Sequence, residues 1–174
     1  TAATSNVFIG DSAGHGNSNS FNVFLGKGSG KFNSGQYNAF LGYQAGLKNT
    51  SGTSNVFIGN QAGFYNTTGG YNTFLGFKAG YTLSTNSYNT YLGYQAGANS
   101  KDGDYNVVIG PFSGYKNNGD YNIFIGYESG YNNISGTDSR YSKWNTFIGY
   151  QSGKGNTTGW QNLIIGYQAG LSNQ

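Results

Sequence analysis

The chain has no cysteine and no methionine, only one proline, and few charges, since charged residues make up 9% of its 174 positions. The absence of cysteine excludes a disulfide framework but leaves the redox compartment open. The nine basic residues are scattered and the net charge is only +3, so nucleic-acid binding is not expected. No apolar run approaches the ~18 residues of a transmembrane helix, so membrane insertion is not expected either. Few charges combined with 17% aromatic residues argue against a disordered chain.

A nine-residue phrase recurs ten times along the chain. Its first position is Asn, its second is an apolar residue or Thr, and its third is usually Phe. Ile or Leu, Gly, two variable residues, Ala or Ser, and a second Gly then follow. Successive copies start 16, 16, 17, 17, 17, 17, 16, 23 and 17 residues apart. Their leading residues are Asn6, Asn22, Asn38, Asn55, Asn72, Asn89, Asn106, Asn122, Asn145 and Asn162. A period near 17 is half that of helical repeats and suits one coil of a β-solenoid.

The Asn-x-Phe-Ile-Gly part of the phrase predicts a short strand, because β-branched and aromatic residues favour strands and the Gly marks a corner. A second short strand is expected at segments such as residues 43–45, followed by a polar turn such as residues 49–52. This order, repeated ten times, predicts an all-β parallel β-solenoid that forms a single domain over residues 1–174. Identical positions then stack ~4.8 Å apart, giving ladders of Asn and of Gly, with the Ala or Ser at a tight interior position.

Each predicted strand is apolar on both faces, which is typical of a strand buried on both sides. The more uniform Ile/Leu column is expected to lie inside the coil, and the Phe column is expected to face a partner, most simply a second copy of the chain. The predicted self-association residues are Phe8, Phe24, Phe40, Phe57, Phe74, Tyr91, Phe124 and Phe147. The alternative is a wider coil that holds both columns inside.

The Asn-Thr-Phe-Ile-Gly phrase at residues 145–149 is similar to the Ser-Val-Ala-Ile-Gly repeats of trimeric autotransporter adhesin heads. The fuller phrase at residues 145–153, with the Asn-Thr-Thr-Gly turn at residues 156–159, resembles repeats of bacterial surface proteins and phage tail-fibre-like proteins. The resemblance covers nearly the whole chain. It implies a left-handed β-roll, a homotrimer and an extracellular, cell-surface or virion-fibre location. The repeat has no atypical polar caps, so exposed strand edges at its ends predict an end-to-end filament as the alternative to a trimer.

Residues suited to catalysis or metal binding are scarce. The only histidine, His15, falls in a turn, where a solvated residue is the simpler interpretation. Asp104 and Asp120 share one repeat position, yet that position is an exposed turn and implies no cleft. No phosphate-binding loop or nucleophile motif is present. We therefore expect neither an enzyme nor a cofactor.

Aromatic residues are the stronger candidates for binding. One set follows the corner Gly, and a second set precedes the leading Asn; such rows either bind sugar rings or stabilise the stack by ring packing. An insertion of about six residues near residues 136–144 is either a contact loop or a tolerated loop. The predicted glycan or partner contacts are Tyr43, Tyr94, Tyr127, Tyr150, Tyr167, Arg140, Tyr141 and Trp144.

Three functions follow in order of preference. The first is a structural or adhesive element of an extracellular fibre that associates with itself through apolar ladders. The second is a glycan-binding module that uses the Tyr rows, with surface glycans as partners. The third is an ice-binding solenoid, which ranks last because Thr occupies the strand only at Thr73, Thr90 and Thr146.

Overall fold

The computed structural model describes residues 4–134 and 142–172, and these form ten three-residue strands and no helix. The strands are β1 (Val7–Ile9), β2 (Val23–Leu25), β3 (Ala39–Leu41), β4 (Val56–Ile58), β5 (Thr73–Leu75), β6 (Thr90–Leu92), β7 (Val107–Ile109), β8 (Ile123–Ile125), β9 (Thr146–Ile148) and β10 (Leu163–Ile165). They form one parallel sheet in chain order. The predicted parallel β-solenoid with coils of about 17 residues is therefore confirmed. Its left-handedness stays a prediction from the resemblance.

Each strand begins directly after a leading Asn and pairs in register with the same positions of the next coil. Phe40, for example, lies opposite Phe57. The register also holds across the longest coil, where Phe124 lies opposite Phe147 although they are 23 residues apart. Extra residues between strands therefore do not disturb the stacking of the sheet.

The second strand predicted in each coil is not observed, and that part of the prediction is wrong. Residues 43–48 form consecutive turns. Gln44 and Gly46 have φ angles of 54° and 58°, and left-handed residues interrupt an extended strand. The coils are still bonded to each other here, since the Gly46 amide donates to the carbonyl of Ala62 at 3.0 Å.

The Phe column fills the inside of the coil, and the prediction that it faces a partner is wrong. The fully buried members are Phe24, Phe40, Phe57, Phe74, Tyr91, Phe124 and Phe147. Phe8, in the first coil, is 36% exposed. Successive rings in the first six coils stack with centroids 4.7 to 5.2 Å apart. We call this set the ring column.

The inward position of the ring column follows from the space that small residues leave. A Cβ at Gly46 would lie 2.5 Å from the Phe40 ring, so the ring rests directly against the Gly backbone. The neighbouring Ala45 is fully buried. One side chain per coil, an aromatic ring in eight of the ten coils, fills this space. The Ile/Leu column stays outside, where Leu75 is 42% exposed. The wider coil holding both columns is therefore not observed either.

The leading Asn residues lie inside the coil and join it to its neighbours. Asn38 Oδ1 accepts a hydrogen bond from the backbone amide of Asn55 at 2.9 Å. Asn38 Nδ2 donates to the carbonyl of Gly52 at 2.9 Å. The predicted Asn ladder is confirmed, although its bonds run mainly from side chain to backbone.

A second column of Asn, read from the sequence as part of a polar turn, is also buried. Asn49 Nδ2 donates to Asn33 Oδ1 at 2.5 Å, and Asn66 Nδ2 donates to Asn49 Oδ1 at 2.8 Å. These side chains also bond their own turns, as Asn49 Nδ2 does with the carbonyl of Gly52 at 2.9 Å. Amide side chains therefore replace part of the apolar core.

Both interior columns change composition in the same part of the stack. Leu83 and Ser100 stand where the second Asn column has Asn elsewhere, and Asn66 Oδ1 has no hydrogen-bond partner. Tyr91 and Val108 stand where the ring column usually has Phe. The Tyr91 hydroxyl is buried near the polar side chains of Ser100, Asn106 and Asn117, but none of them meets hydrogen-bond geometry with it. Burial raises the pKa of Tyr91 well above its ordinary value, and these polar neighbours offset only part of that rise.

Candidate functional site

The outer face of the sheet carries two columns of side chains that point away from the coil. We define this outer face by the first and third residues of each strand. The first residues are Val7, Val23, Ala39, Val56, Thr73, Thr90, Val107, Ile123, Thr146 and Leu163. The third residues are Ile9, Leu25, Leu41, Ile58, Leu75, Leu92, Ile109, Ile125, Ile148 and Ile165. None of them is charged, and the strands pack only their middle residue inside.

The outer face is regular, because its ten strands pair in register from coil to coil. Rings beneath it, such as those of Phe40, Phe57 and Phe74, are parallel to within 5° in successive coils. Strands ~4.8 Å apart and ~10 Å long give a face of roughly 45 Å by 10 Å, and on the order of 800 Å² with its flanking aromatic rows. The largest apolar patch on a typical monomer is ~300–600 Å². The outer face alone lies within that range, but together with its flanking aromatic rows it is larger than an isolated protein normally exposes.

A row of stacked aromatic rings borders the outer face on the side where the strands begin. We call it the entry row, and it consists of Phe21, Tyr37, Tyr71, Tyr88, Tyr105, Tyr121 and Trp144. From Tyr71 to Trp144 the ring centroids lie 4.8 to 5.9 Å apart, with planes within 6° of parallel. Partial desolvation, together with the phenols of Tyr88 and Tyr121, raises the pKa of Tyr105. The Tyr105 phenol is therefore neutral at neutral pH.

The entry row is held in an unusual backbone conformation. The four tyrosines from Tyr71 to Tyr121 have φ angles of 58° to 61°, a left-handed region in which bulky residues are rare. Ser54 and Gln161 adopt the same conformation at the same repeat position, so the corner itself does not require a ring. Left-handed backbone costs an L-residue roughly 1–2 kcal/mol. The repeated use of Tyr at this cost indicates that the ring has a role of its own.

A second aromatic row, the corner row, follows the corner Gly and contains the five tyrosines predicted to contact glycans. The structure brings three of them together, since Tyr150 stacks between Tyr127 and Tyr167 with centroids 5.2 and 5.3 Å away. Tyr94 stacks instead on Phe77 at 5.2 Å. All of these side chains are at least partly exposed. Among the described residues, neighbouring rings therefore cover both faces of Tyr150, but one face of Tyr167 stays free and no ring stacks on Tyr43.

The remaining predicted contacts do not form one site. Tyr43 is 45% exposed, and its repeat position is a Lys in the coil before and an Asn in the coil after. Trp144 belongs to the entry row, where it stacks on Tyr121 at 5.9 Å. Arg140 and Tyr141 lie outside the described residues. The predicted contact loop therefore stays a prediction.

Polar side chains beside the corner row bond to one another. Gln61 Nε2 donates to Gln44 Oε1 at 3.0 Å, and Gln151 Nε2 donates to Glu128 Oε2 at 2.7 Å. Partial burial of Glu128 favours its neutral form, but hydrogen bonds from Lys154 and Gln151 outweigh it and hold the Glu128 pKa below its ordinary value. These amide and charged side chains therefore bond successive coils to one another.

Within residues 4–134 and 142–172, no cluster of three or more His, Cys, Asp or Glu side chains is arranged to hold a metal ion. His15 is exposed in a turn. Asp120 Oδ1 accepts from the Asp104 amide at 3.0 Å, and Asp120 also pairs with Lys143. These carboxylates therefore join successive coils. No helix among the described residues is long and apolar enough to cross a membrane.

The outward direction of the Ile/Leu column and the burial of the second Asn column were missed from the sequence. A signal for the first was present, because residues two apart in a strand share a face. The leading Asn and the Phe are two residues apart, so they lie on the same face. An Asn whose side chain bonds from coil to coil is expected inside, and the Phe is then expected inside with it. The second Asn column recurs 11 residues after the leading Asn in most coils, which the polar-turn interpretation overlooked.

Three-residue strands, in-register columns and coils of about 17 residues define the class to which the chain belongs: it is a β-solenoid repeat protein. No protein-family model, curated protein or solved structure matches the chain. The resemblance to adhesin heads and tail-fibre-like proteins therefore stays a prediction.

Proposed function

We propose that this chain is a non-enzymatic structural element of an extracellular or virion-surface fibre that associates with itself through the outer face. The observation that supports this proposal is a regular, uncharged, apolar face that spans all ten strands. The ring column has no part in the association, because it fills the coil. The extracellular setting rests on the resemblance alone.

A second copy of the chain is the partner that the outer face fits best. An area on the order of 800 Å² is what each partner buries in a standard protein interface. The face carries no charge that would attract an oppositely charged partner. Its side chains repeat at the spacing between hydrogen-bonded strands, and the same face of a second copy has side chains at the same spacing. Packing about a two-fold axis brings equivalent columns together, and a homotrimer buries the same columns about a three-fold axis.

Glycan binding has less support, because a sugar ring stacks on a free aromatic face. Tyr150 has rings on both sides, and so do the three central rings of the entry row, from Tyr88 to Tyr121. Ice binding has less support again, because only Thr73, Thr90 and Thr146 supply hydroxyl groups to the outer face.

Sedimentation velocity over a wide concentration range tests the association. Leu75 lies in the middle of the outer face, so the variant Leu75→Lys buries an unpaired charge in any interface formed there. A loss of about 3 kcal/mol is expected, equivalent to roughly a hundredfold rise in the dissociation constant. The number of copies in the associated species separates a dimer from a trimer.

The matched control is Thr68→Lys, which adds the same charge at an exposed turn away from the outer face. This variant is expected to associate like the wild type, and circular dichroism checks that both variants fold. A wild-type chain that stays monomeric at all concentrations contradicts the proposal. So does a folded Leu75→Lys variant that associates as tightly as the wild type.

A further inference from the structure

The entry row places four tyrosine phenols in register in consecutive coils. The rings of Tyr71, Tyr88, Tyr105 and Tyr121 lie face to face, with successive centroids 4.9, 4.8 and 5.0 Å apart and planes 1°, 2° and 6° from parallel. Each side chain is 47% to 56% exposed. The ring edges therefore reach solvent, while the faces are held against the neighbouring phenols.

Stacking alone does not account for the phenol groups. Phe21 and Tyr37 stack in the same row at 5.2 Å and 3°, so a ring without a hydroxyl packs equally well. The backbone at these positions also accepts Ser and Gln, at Ser54 and Gln161. The chain nevertheless keeps tyrosine at four consecutive positions in a left-handed conformation that suits small residues better. Phenol chemistry is the property that distinguishes tyrosine from these substitutes.

We propose that the entry row is a site of oxidative cross-linking, at which a one-electron oxidant of the peroxidase class with hydrogen peroxide joins tyrosines of successive coils as dityrosine. Each of two adjacent phenols loses one electron and its phenolic proton. The two radicals couple through a carbon–carbon bond between their ortho carbons, and the two displaced ring hydrogens move to the oxygens, which restores both phenols. In total two hydrogen atoms leave the protein, and one hydrogen peroxide becomes two waters.

The geometry favours links within one chain. Parallel strands hold successive coils ~4.8 Å apart, so each radical has its nearest phenol in the next coil of the same molecule. Coupling needs two rings to leave the face-to-face stack and meet at their ortho carbons, and about half of each side chain already faces the solvent into which they move. A link between coils closes a loop of about one repeat, which restrains the unfolded chain as a disulfide does. The chain has no cysteine, so a disulfide is not open to it.

Oxidation of dilute protein with a peroxidase and hydrogen peroxide tests the proposal. Dityrosine fluorescence reports the yield, and tandem mass spectrometry of proteolytic fragments identifies the linked residues. The expected product is a monomer in which Tyr71 is joined to Tyr88, Tyr88 to Tyr105, or Tyr105 to Tyr121, with a raised thermal unfolding midpoint. Because dilution suppresses association, this result is independent of the proposed function.

Two variants keep the proposal falsifiable. The double variant Tyr88→Phe/Tyr105→Phe retains the rings but removes all three Tyr–Tyr pairs of the entry row, and it leaves the three other stacked Tyr–Tyr pairs of the described residues in place. The fluorescence yield is therefore expected to fall by well over half. The control Tyr43→Phe removes a phenol of similar exposure whose neighbours at that repeat position are Lys27 and Asn60, and the yield is expected to stay unchanged.

The remaining outcomes overturn the proposal. These are an unchanged yield in the folded double variant, links that involve Tyr43 as often as the entry row, and links that join different chains even at high dilution.

Discussion

Tyr91 differs from the Phe at its position in most coils by one oxygen atom, and that oxygen is buried without a hydrogen-bond partner. A buried polar group left unpaired costs about 1–3 kcal/mol. Two nearby positions have changed to smaller residues, since Ser100 replaces Asn in the same coil and Val108 replaces Phe in the next. Single residues therefore show where the repeat departs from its own pattern, and Tyr91 is the clearest case.

Replacing Tyr91 with Phe is expected to stabilise the fold by about 1–3 kcal/mol at neutral pH, because the unpaired hydroxyl is removed. The effect also depends on pH. Below the ordinary tyrosine pKa of 10.0, both the folded and the unfolded chain keep this phenol protonated. Above it, the unfolded chain releases the proton while the folded chain retains it, so wild-type stability falls by up to about 1.4 kcal/mol per pH unit.

Urea unfolding of the wild type and Tyr91→Phe between pH 7 and pH 11 measures both effects. The difference in free energy of unfolding is expected to be constant below pH 10.0 and to widen above it. Any contribution of the other tyrosines is common to both proteins and cancels in the difference. A constant difference over the whole range contradicts the buried position of the hydroxyl.

Each strand is followed by a Gly, and in all coils but the last this Gly meets two demands at once. Gly59 has a φ angle of 136°, and a Cβ there would lie 2.4 Å from the carbonyl oxygen of Gly76 in the next coil. The corner requires the positive φ, and the short distance between coils leaves no room for a Cβ. Gly166 separates the two demands, because its φ is 129° but the nearest atom to a Cβ is Ala169 Cβ at 3.7 Å.

The variant Gly59→Ala is expected to destabilise the fold by about 2–4 kcal/mol, the sum of an unfavourable φ and overpacking against the next coil. The variant Gly166→Ala keeps only the first term and is expected to cost about 1 kcal/mol. Thermal or urea unfolding of the two variants measures the difference. Equal losses would show that the corner conformation matters and that the approach of the coils does not.

The strands and their register could be predicted from the sequence because Asn and Gly recur at fixed spacings. The turn after each corner could not, because its left-handed residues include Gln44, where no Gly signals them. The direction of each apolar column could not be decided from hydrophobicity, since both columns are apolar. That choice depends on the space left by residues such as Ala45 and Gly46, which is a property of the closed coil.

At the scale of the whole molecule, each strand contacts only the strands of neighbouring coils. Stability in such a stack is approximately a sum of coil terms and nearest-neighbour terms. Three consecutive coils carry the changes at Leu83, Tyr91, Ser100 and Val108. We expect these changes to reduce both the stability of these coils and the stabilisation that each coil receives from its neighbours. The middle of the stack is therefore its least stable interior region.

Hydrogen exchange is expected to show this weakness directly. Backbone amides of β6 and β7 are expected to exchange faster than those of β3, β4, β8 and β9, although all of them are interior strands of one sheet. The variant Leu83→Asn supplies a donor for the unpaired Asn66 Oδ1 and is expected to slow exchange in β4 and β5 while leaving β8 and β9 unchanged. Uniform protection from β3 to β9 contradicts the expectation.

The register between Phe124 and Phe147 survives six residues more than the 17 of a usual repeat. A foreign peptide grafted between β8 and β9 is consequently expected to leave the register of the sheet unchanged. A displayed epitope would sit at a fixed height on the column, and adding or deleting whole coils would move it in steps of ~4.8 Å. The same tolerance would make the molecule a scaffold on which distances are set in units of the hydrogen-bonded strand spacing.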